Sequence, residues 1–212
     1  MKAKGRVVKN MSKSNFFAVL SRMKLINRWG LMRNTRHENL SEHSYDVAVI
    51  THALILLANT RFGAQLDVGR AVLLAMYHDA AEIFTGDMPT PVKYYNDDIR
   101  KAYHKVEEIS VLRLLKLLPE DLKQSYKPLL IHTESDSRLL LTIKAADKLS
   151  ALIKCIEEEK AGSSEFKKAA LSQEEYLKAM HLPEVDCFLN EFLPGYRLTL
   201  DEQEENYDVL LQ

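Results

Sequence analysis

The sequence predicts an all-α, single-domain protein, and three observations carry that prediction. Apolar residues recur at spacings of three and four along most of the chain, the period of one helix face rather than the alternation of a strand. Only 7 Gly and 6 Pro serve 212 residues, little material for the turns of a many-stranded β fold. The length suits one domain of ~100–200 residues, and neither an internal repeat nor a low-complexity linker divides it.

The elements follow in chain order. Between Ser44 and Asn59, Val47, Ile50, Leu54 and Leu57 form one apolar stripe. The run Val68 to Phe84 repeats the pattern with Val72, Ala75, Met76 and Ile83, and stops at Thr85-Gly86-Asp87-Met88-Pro89-Thr90-Pro91. Two prolines in that cluster predict a loop. A long helix is expected over Asp97 to Leu118, ended by Pro119, and a shorter one from Glu120 to Leu130. Ser137 to Lys160 forms another long helix through Leu140, Ile143, Leu149, Leu152, Ile153 and Ile156, with Gly162 where a left-handed cap is wanted. Two more helices are expected over Ser164 to Met180 and Glu184 to Phe192. Residues 1–12 are expected to be a disordered basic extension, with Met11 a second candidate start, and residues 201–212 an acidic tail.

Composition removes several function classes. With 29 Lys+Arg against 30 Asp+Glu the formal net charge is −1, so coating of a nucleic-acid polymer by bulk electrostatics is not expected. Cys155 and Cys187 form no Cys-x-x-Cys pair, which removes zinc knuckles and thioredoxin-type redox chemistry. The apolar run Phe16 to Leu20 is shorter than the ~7–15 residues of a signal-peptide core, and nothing approaches the ~20 apolar residues of a membrane span. A cytoplasmic protein without membrane partners is the expectation. No P-loop, dinucleotide fingerprint or nucleophilic triad occurs.

Chemistry concentrates around one dipeptide. His78 and Asp79 interrupt an apolar stretch flanked by Leu73, Leu74, Ala75, Met76, Ala80 and Ala81. Burying an imidazole beside a carboxylate costs several kcal/mol unless they are paired or bind a metal. A lone His-Asp pair is more often structural. Glu82, however, follows His78 by four and Asp79 by three, on the same helical face. Asp147 breaks the apolar stripe between Ile143 and Leu149, and His43 opens the first amphipathic helix within Ser41-Glu42-His43-Ser44. Two histidines and two aspartates from three helices suit a divalent transition metal.

The order His43, His78-Asp79, Asp147 resembles the signature of the HD-domain metal-dependent phosphohydrolases. More narrowly, the chain resembles the bacterial 5′-deoxynucleotidases, through Ile26-Asn27-Arg28-Trp29, Ser41-Glu42-His43-Ser44, Tyr77-His78-Asp79-Ala80-Ala81-Glu82, the segment Thr85 to Lys93, and Lys144-Ala145-Ala146-Asp147. The resemblance implies a helical HD-domain fold over residues 13–200, commonly a homodimer. It implies His43, His78, Asp79 and Asp147 as ligands of one divalent ion per subunit. Cobalt is often the most effective metal in this branch, and such a donor set also accepts Mn, Fe, Ni or Zn. The implied reaction is hydrolysis of deoxyribonucleoside 5′-monophosphates to deoxynucleoside and phosphate by attack of metal-bound water, with Glu82 orienting the water or shuttling its proton.

A phosphomonoester dianion needs a cation beyond the metal site, and Arg28 offers a planar fork for two oxygens. The resemblance places Arg28 on phosphate and Trp29 near the sugar, and sets Asp87, Met88, Pro89 and Thr90 against the nucleoside, with Asp87 able to accept from a 3′-hydroxyl. His43, Asp79 and Asp147 border the substrate as well. Two other expectations stand beside this one: an HD phosphohydrolase for a cyclic nucleotide, a triphosphate or an alarmone, and a nucleotide-sensing HD protein without turnover. A larger anion would call for a wider basic cluster, and loss of Glu82 or a ligand would mark a sensor; neither is seen.

Overall fold

The computed structural model describes residues 13–93 and 95–208, with side chains as far as Glu204. The expectations for residues 1–12 and 209–212 lie outside these. The described residues form α1 (Phe16–Leu20), α2 (Leu40–Phe62), α3 (Val68–Tyr77), the single turns α4 (Glu82–Thr85) and α5 (Thr90–Lys93), α6 (Asp97–Lys116), α7 (Glu120–Leu130), α8 (Ser137–Lys160), α9 (Lys167–Ala179), α10 (Pro183–Cys187) and α11 (Leu200–Asp208). No strand occurs among them; one antiparallel bridge joins Asn27 to Asn39.

The buried stripes of α2 and α8 face each other, and α3, α9 and α10 pack around that pair. Leu54, Ile55, Leu74, Leu149, Leu152, Ile156 and Leu177 are all within 1% of full burial in this main core. A smaller core joins Phe16 of α1 to Leu114, Leu115, Leu118 and Leu130, with Ala80 at its edge. The segment holding His78 and Asp79 is therefore wedged between two cores.

The start of α2 is fixed by its cap. The Asn39 side chain accepts from the amides of Ser41 and Glu42, and Glu42 reaches back to the Asn39 amide. Such a capping box is worth ~1 kcal/mol. It extends the helix four residues ahead of the expected Ser44, so His43 lies inside the first turn and is fully buried. Gly63, at φ +68°, ends the helix in the left-handed region.

The expected helix Val68–Phe84 is not continuous. It stops at Tyr77, and residues 78–81 form a tighter turn with bonds from Ala80 N to Tyr77 O and from Glu82 N to Asp79 O. The cause is local. The His78 ring Nδ1 lies 2.7 Å from the Ala75 carbonyl and donates to the oxygen that would accept the next amide of an α-helix. The following loop is shorter than expected, because Thr90 and Pro91 start the turn α5, whose Val92 and Lys93 amides reach Pro89 O. Pro91 sits in the first turn, where no N–H is needed.

Asp97–Lys116, Glu120–Leu130 and Ser137–Lys160 match the expected spans within two residues. The Ser164–Met180 helix begins later, at Lys167. The Glu184–Phe192 helix is only partly α: it changes after Cys187 into a π turn over Phe188–Phe192 and a 3₁₀ turn over Leu193–Arg197. Beyond it, the first part of the expected acidic tail is helical, started by Thr199, whose amide and hydroxyl both donate to Glu202.

Candidate active site

The site is assembled from five segments. The first turn of α2 supplies His43, the turn after α3 supplies His78 and Asp79, α4 supplies Glu82, the middle of α8 supplies Asp147, and the segment before α2 supplies Arg28 and Trp29. Ligand atoms of His43, His78 and Asp79 lie within 4.8 Å of one another. His43 Nε2 is 3.1 Å from Asp147 Oδ1 and 3.6 Å from Asp79 Oδ2, and His78 Nε2 is 3.1 Å from Asp79 Oδ2. Both Nε2 atoms are buried without a hydrogen-bond partner while facing carboxylates. Imidazole nitrogens left unpartnered opposite two carboxylates are the donor set a divalent ion takes, so the residues present fit a metal.

Charge is strongly perturbed where the imidazoles and carboxylates meet. Burial lowers the His78 pKa, but the adjoining Asp79 charge outweighs it and raises the ring to about 9. Burial likewise opposes ionisation of Asp79, yet His78 and His43 bring it down to about 2. Asp147 is held well below the usual carboxylate range, burial notwithstanding, by His43 and by Lys148, whose Nζ is 3.3 Å from Oδ2. Glu82 behaves in the opposite sense. Burial, together with the charges of Asp79 and Asp87, pushes it up to about 9, and its Oε2 has no partner. Lys93 moderates this from behind, tied to Glu107 at 2.9 Å and lying over the Tyr103 ring at 4.6 Å.

Arg28 and Trp29 emerge from the Asn27–Asn39 bridge, where Arg28 N donates to Glu38 O at 2.9 Å and Leu40 N to Ile26 O at 3.0 Å. Arg28 Nη1 lies 2.8 Å from His43 Nδ1, and Nη2 is 3.9 Å from Asp147 Oδ1. Trp29 adopts φ +61°, a left-handed conformation costing a non-glycine residue roughly 1–2 kcal/mol. Four contacts hold it there. Its indole N–H donates to Glu38 Oε2 at 2.7 Å, its ring packs on Phe166 at 5.4 Å, and its carbonyl accepts from Met32 N and Asn34 Nδ2. Asp87 is raised by burial, with Arg28 pulling the other way and the Trp29 amide beside it, so the loop after α4 reaches this corner. Met88 and Pro89 are half-buried and Thr90 is exposed. Among the described residues, none of these three hydrogen-bonds or ion-pairs with the cluster. Among the other histidines, His37 is exposed.

Two residues were not expected from the sequence. Glu38 is buried and touches Arg28, Trp29 and His43 at once. Ser150, one turn after Asp147, lies 3.1 Å from His43 Nδ1. Neither carried a signal: Glu38 reads as a charge just ahead of a helix cap, and Ser150 as a small polar residue within a helix.

Residues 15–196 match the family model described as 5′-deoxynucleotidase YfbR-like. The chain is 49% identical over 193 residues to the 5′-deoxynucleotidase YfbR of Escherichia coli O127:H6, covering 91% of this chain and 96% of that protein. It is 48% identical over 189 residues to the 5′-deoxynucleotidase yfbR of Photorhabdus temperata, covering 89% and 96%. Among solved structures, an HD-domain phosphohydrolase from Listeria innocua superposes with a TM-score of 0.73 at 23% identity, covering 90% of this chain and 92% of that one. The cyanophage S-2L HD phosphohydrolase DatZ, bound to dA and one catalytic Zn²⁺ ion, superposes with a TM-score of 0.61 at 21% identity, covering 90% and 100%. At these identities the superpositions speak for the HD fold.

Proposed function

The chain belongs to the YfbR-like family of 5′-deoxynucleotidases and is a phosphoric monoester hydrolase, and we propose that the residues gathered between α2 and α8 hydrolyse deoxyribonucleoside 5′-monophosphates. The observation that carries this assignment to particular residues is the buried meeting of two partnerless imidazole nitrogens with Asp79 and Asp147, beside a cation and a protonatable carboxyl. His43, His78, Asp79 and Asp147 would hold one divalent ion. When bound, that ion supplies an activated water and polarises a phosphoryl oxygen.

The remaining steps belong to the chain. Arg28 binds and orients the phosphate and stabilises its charge in the transition state. Glu82 holds or passes the proton of the attacking water at its partnerless Oε2. Its pKa is raised by burial and by Asp79 and Asp87, so the carboxyl is able to hold a proton at that atom. Trp29 walls the sugar, while Asp87 accepts from the 3′-hydroxyl. Met88, Pro89 and Thr90 close over the nucleoside, with Pro89 and Pro91 limiting the entropy lost on binding.

The active species is proposed to be a cytoplasmic homodimer. Tyr45, Val49 and Met76, 70%, 51% and 49% exposed, line one apolar groove between α2 and α3 that a second copy would cover. Phosphate release from deoxy- and ribonucleoside 5′-monophosphates, by metal-stripped protein resupplied with Co, Mn, Zn or Mg, tests the reaction. Metal-dependent release from the deoxy compounds is expected. Bound metal without release from any of them would overturn it.

A further inference from the structure

We propose that Glu38 is the positioning residue of the site, one carboxylate that sets both Arg28 and Trp29 so that the Nε/Nη2 edge of Arg28 is the edge presented to phosphate. The proposal rests on the phosphate-binding role assigned above to Arg28.

Glu38 is 8% exposed, and its two oxygens have different tasks. Oε1 accepts from Arg28 Nη1 at 3.2 Å, and Oε2 accepts from the Trp29 indole at 2.7 Å. The backbone adds a third tie, because Arg28 N donates to Glu38 O across the Asn27–Asn39 bridge. The guanidinium is thus gripped on Nη1 by Glu38, with His43 Nδ1 2.8 Å from the same nitrogen. Its Nε is buried with no hydrogen-bond partner, and Nη2 has only Asp147 at 3.9 Å. Nε–H and the neighbouring Nη2–H form one planar fork, the arrangement that meets two oxygens of a carboxylate or phosphate. A buried N–H left open beside a gripped Nη1 marks where a ligand oxygen belongs.

The cost of this arrangement is a buried anion next to a phosphate site, and the network around Glu38 explains why it persists. Burial disfavours its charge, but His43, Arg28 and Trp29 together bring it down to about 2. Without Glu38, Arg28 would be free to turn its Nη1 edge toward Asp147 or Asp79, and the indole N–H of a residue strained at φ +61° would lose its acceptor, leaving the ring to its packing on Phe166. Glu38 Oε1 also lies 3.5 Å from His43 Nδ1. The same carboxylate therefore also stands beside the outer nitrogen of the ring whose Nε2 faces the metal ligands. The far end of the loop is clamped independently, since Glu158 of α8 accepts from Thr35 and Arg36. Glu38 thus aims the side chains, while the path of the loop is fixed elsewhere.

A double-mutant cycle on the full-length protein tests this, with Glu38→Gln, Arg28→Ala and the pair, each assayed with deoxyribonucleoside 5′-monophosphates. Glu38→Gln is expected to lower kcat/KM by roughly 10–100-fold, and the double variant to be no slower than Arg28→Ala alone. Trp29 is the single tryptophan of the chain, so its emission and near-UV signal should change in Glu38→Gln with little change in thermal midpoint. Effects that multiply in the double variant, or a Glu38→Gln protein with unaltered Trp29 signal and kcat/KM, would overturn the proposal. Glu38→Asp keeps the charge at shorter reach and carries the same cycle if the Gln variant does not fold. Should the wild type release no phosphate, the functional assignment fails by itself. The positioning role is then decided by Trp29 emission during titration with inorganic phosphate: a phosphate-dependent change in wild type that Glu38→Gln abolishes supports it, and identical titrations overturn it.

Discussion

Helix α8 carries two buried polar clusters a few turns apart, and they differ in one respect. Around Lys154 and Glu158 every charged atom is partnered. Lys154 donates to Glu158 and to the Arg36 carbonyl, and Glu158 accepts from Thr35 N, Thr35 Oγ1 and Arg36 N. Around Asp147, Arg28 Nε, His43 Nε2, His78 Nε2 and Glu82 Oε2 are buried without hydrogen bonds. The first cluster is finished by the chain itself and holds the loop that leads into α2. The second is where we propose that ligand groups complete the set. A buried polar group without a partner costs roughly 1–3 kcal/mol, and several of them at one place indicate a site whose missing partners are ligand atoms.

That contrast is most sharply tested at Glu82. Glu82→Gln should lower kcat by roughly 10²–10⁴, while the thermal midpoint of the metal-free protein holds or rises because a strained carboxyl is removed. A matching loss of stability would erase the distinction between the clusters. Lys154→Met should do the converse. It leaves Glu158 buried without its cation and should cost about 3–5 kcal/mol by urea unfolding, with turnover per folded molecule changed much less.

Arg28→Ala is expected to lower kcat by roughly 10²–10³ and to raise KM, with Trp29 remaining on Phe166; steady-state kinetics and the Trp29 emission check both. Metal should act only on the open cluster. A divalent ion at 100 times its Kd should raise the stability of stripped protein by about 2.7 kcal/mol, and calorimetry of His78→Ala should show no such gain. The smallest effect concerns a third cluster of the satisfied kind. Arg70 donates through Nε and Nη2 to Asp136, and Thr133 N adds a third bond. The Arg70 hydrogen bonds lead in lowering Asp136 to about 2. Its folded pKa is depressed, so its contribution is present above the ordinary value of about 4 and lost as pH falls towards 2. Asp136→Asn should flatten acid unfolding across that window, and an unchanged curve would remove Asp136 from it.

Much of this was legible beforehand. The three-and-four spacing in α6, α7 and α8 depends on neighbours along one helix, and those spans agree within two residues. The expected ligands also came together, because each is a polar residue set into an apolar stripe, and the stripe faces inward. Less legible was the break after Tyr77. The side chain of His78 takes a carbonyl from its own helix there, a competition that periodicity does not register. The turn at Thr90 escaped notice for a related reason: proline is excluded from helix interiors but not from their first turn. The helix over Leu200–Asp208 is too polar to show a stripe, and what starts it is a cap at Thr199.

By itself, then, the sequence determined the helical class, the order of the elements and the chemical types of the candidate ligands, since all of these follow from spacings within a turn or two. Only the tertiary structure decided which atoms stay unpartnered. Whether Arg28 offers Nη1 or its Nε/Nη2 edge depends on Glu38 and His43 folding back on it, and whether the loop stands firm depends on Glu158, more than a hundred residues away. Hydrogen-bond partners are assigned by burial and proximity in space, and those are properties of the packed molecule.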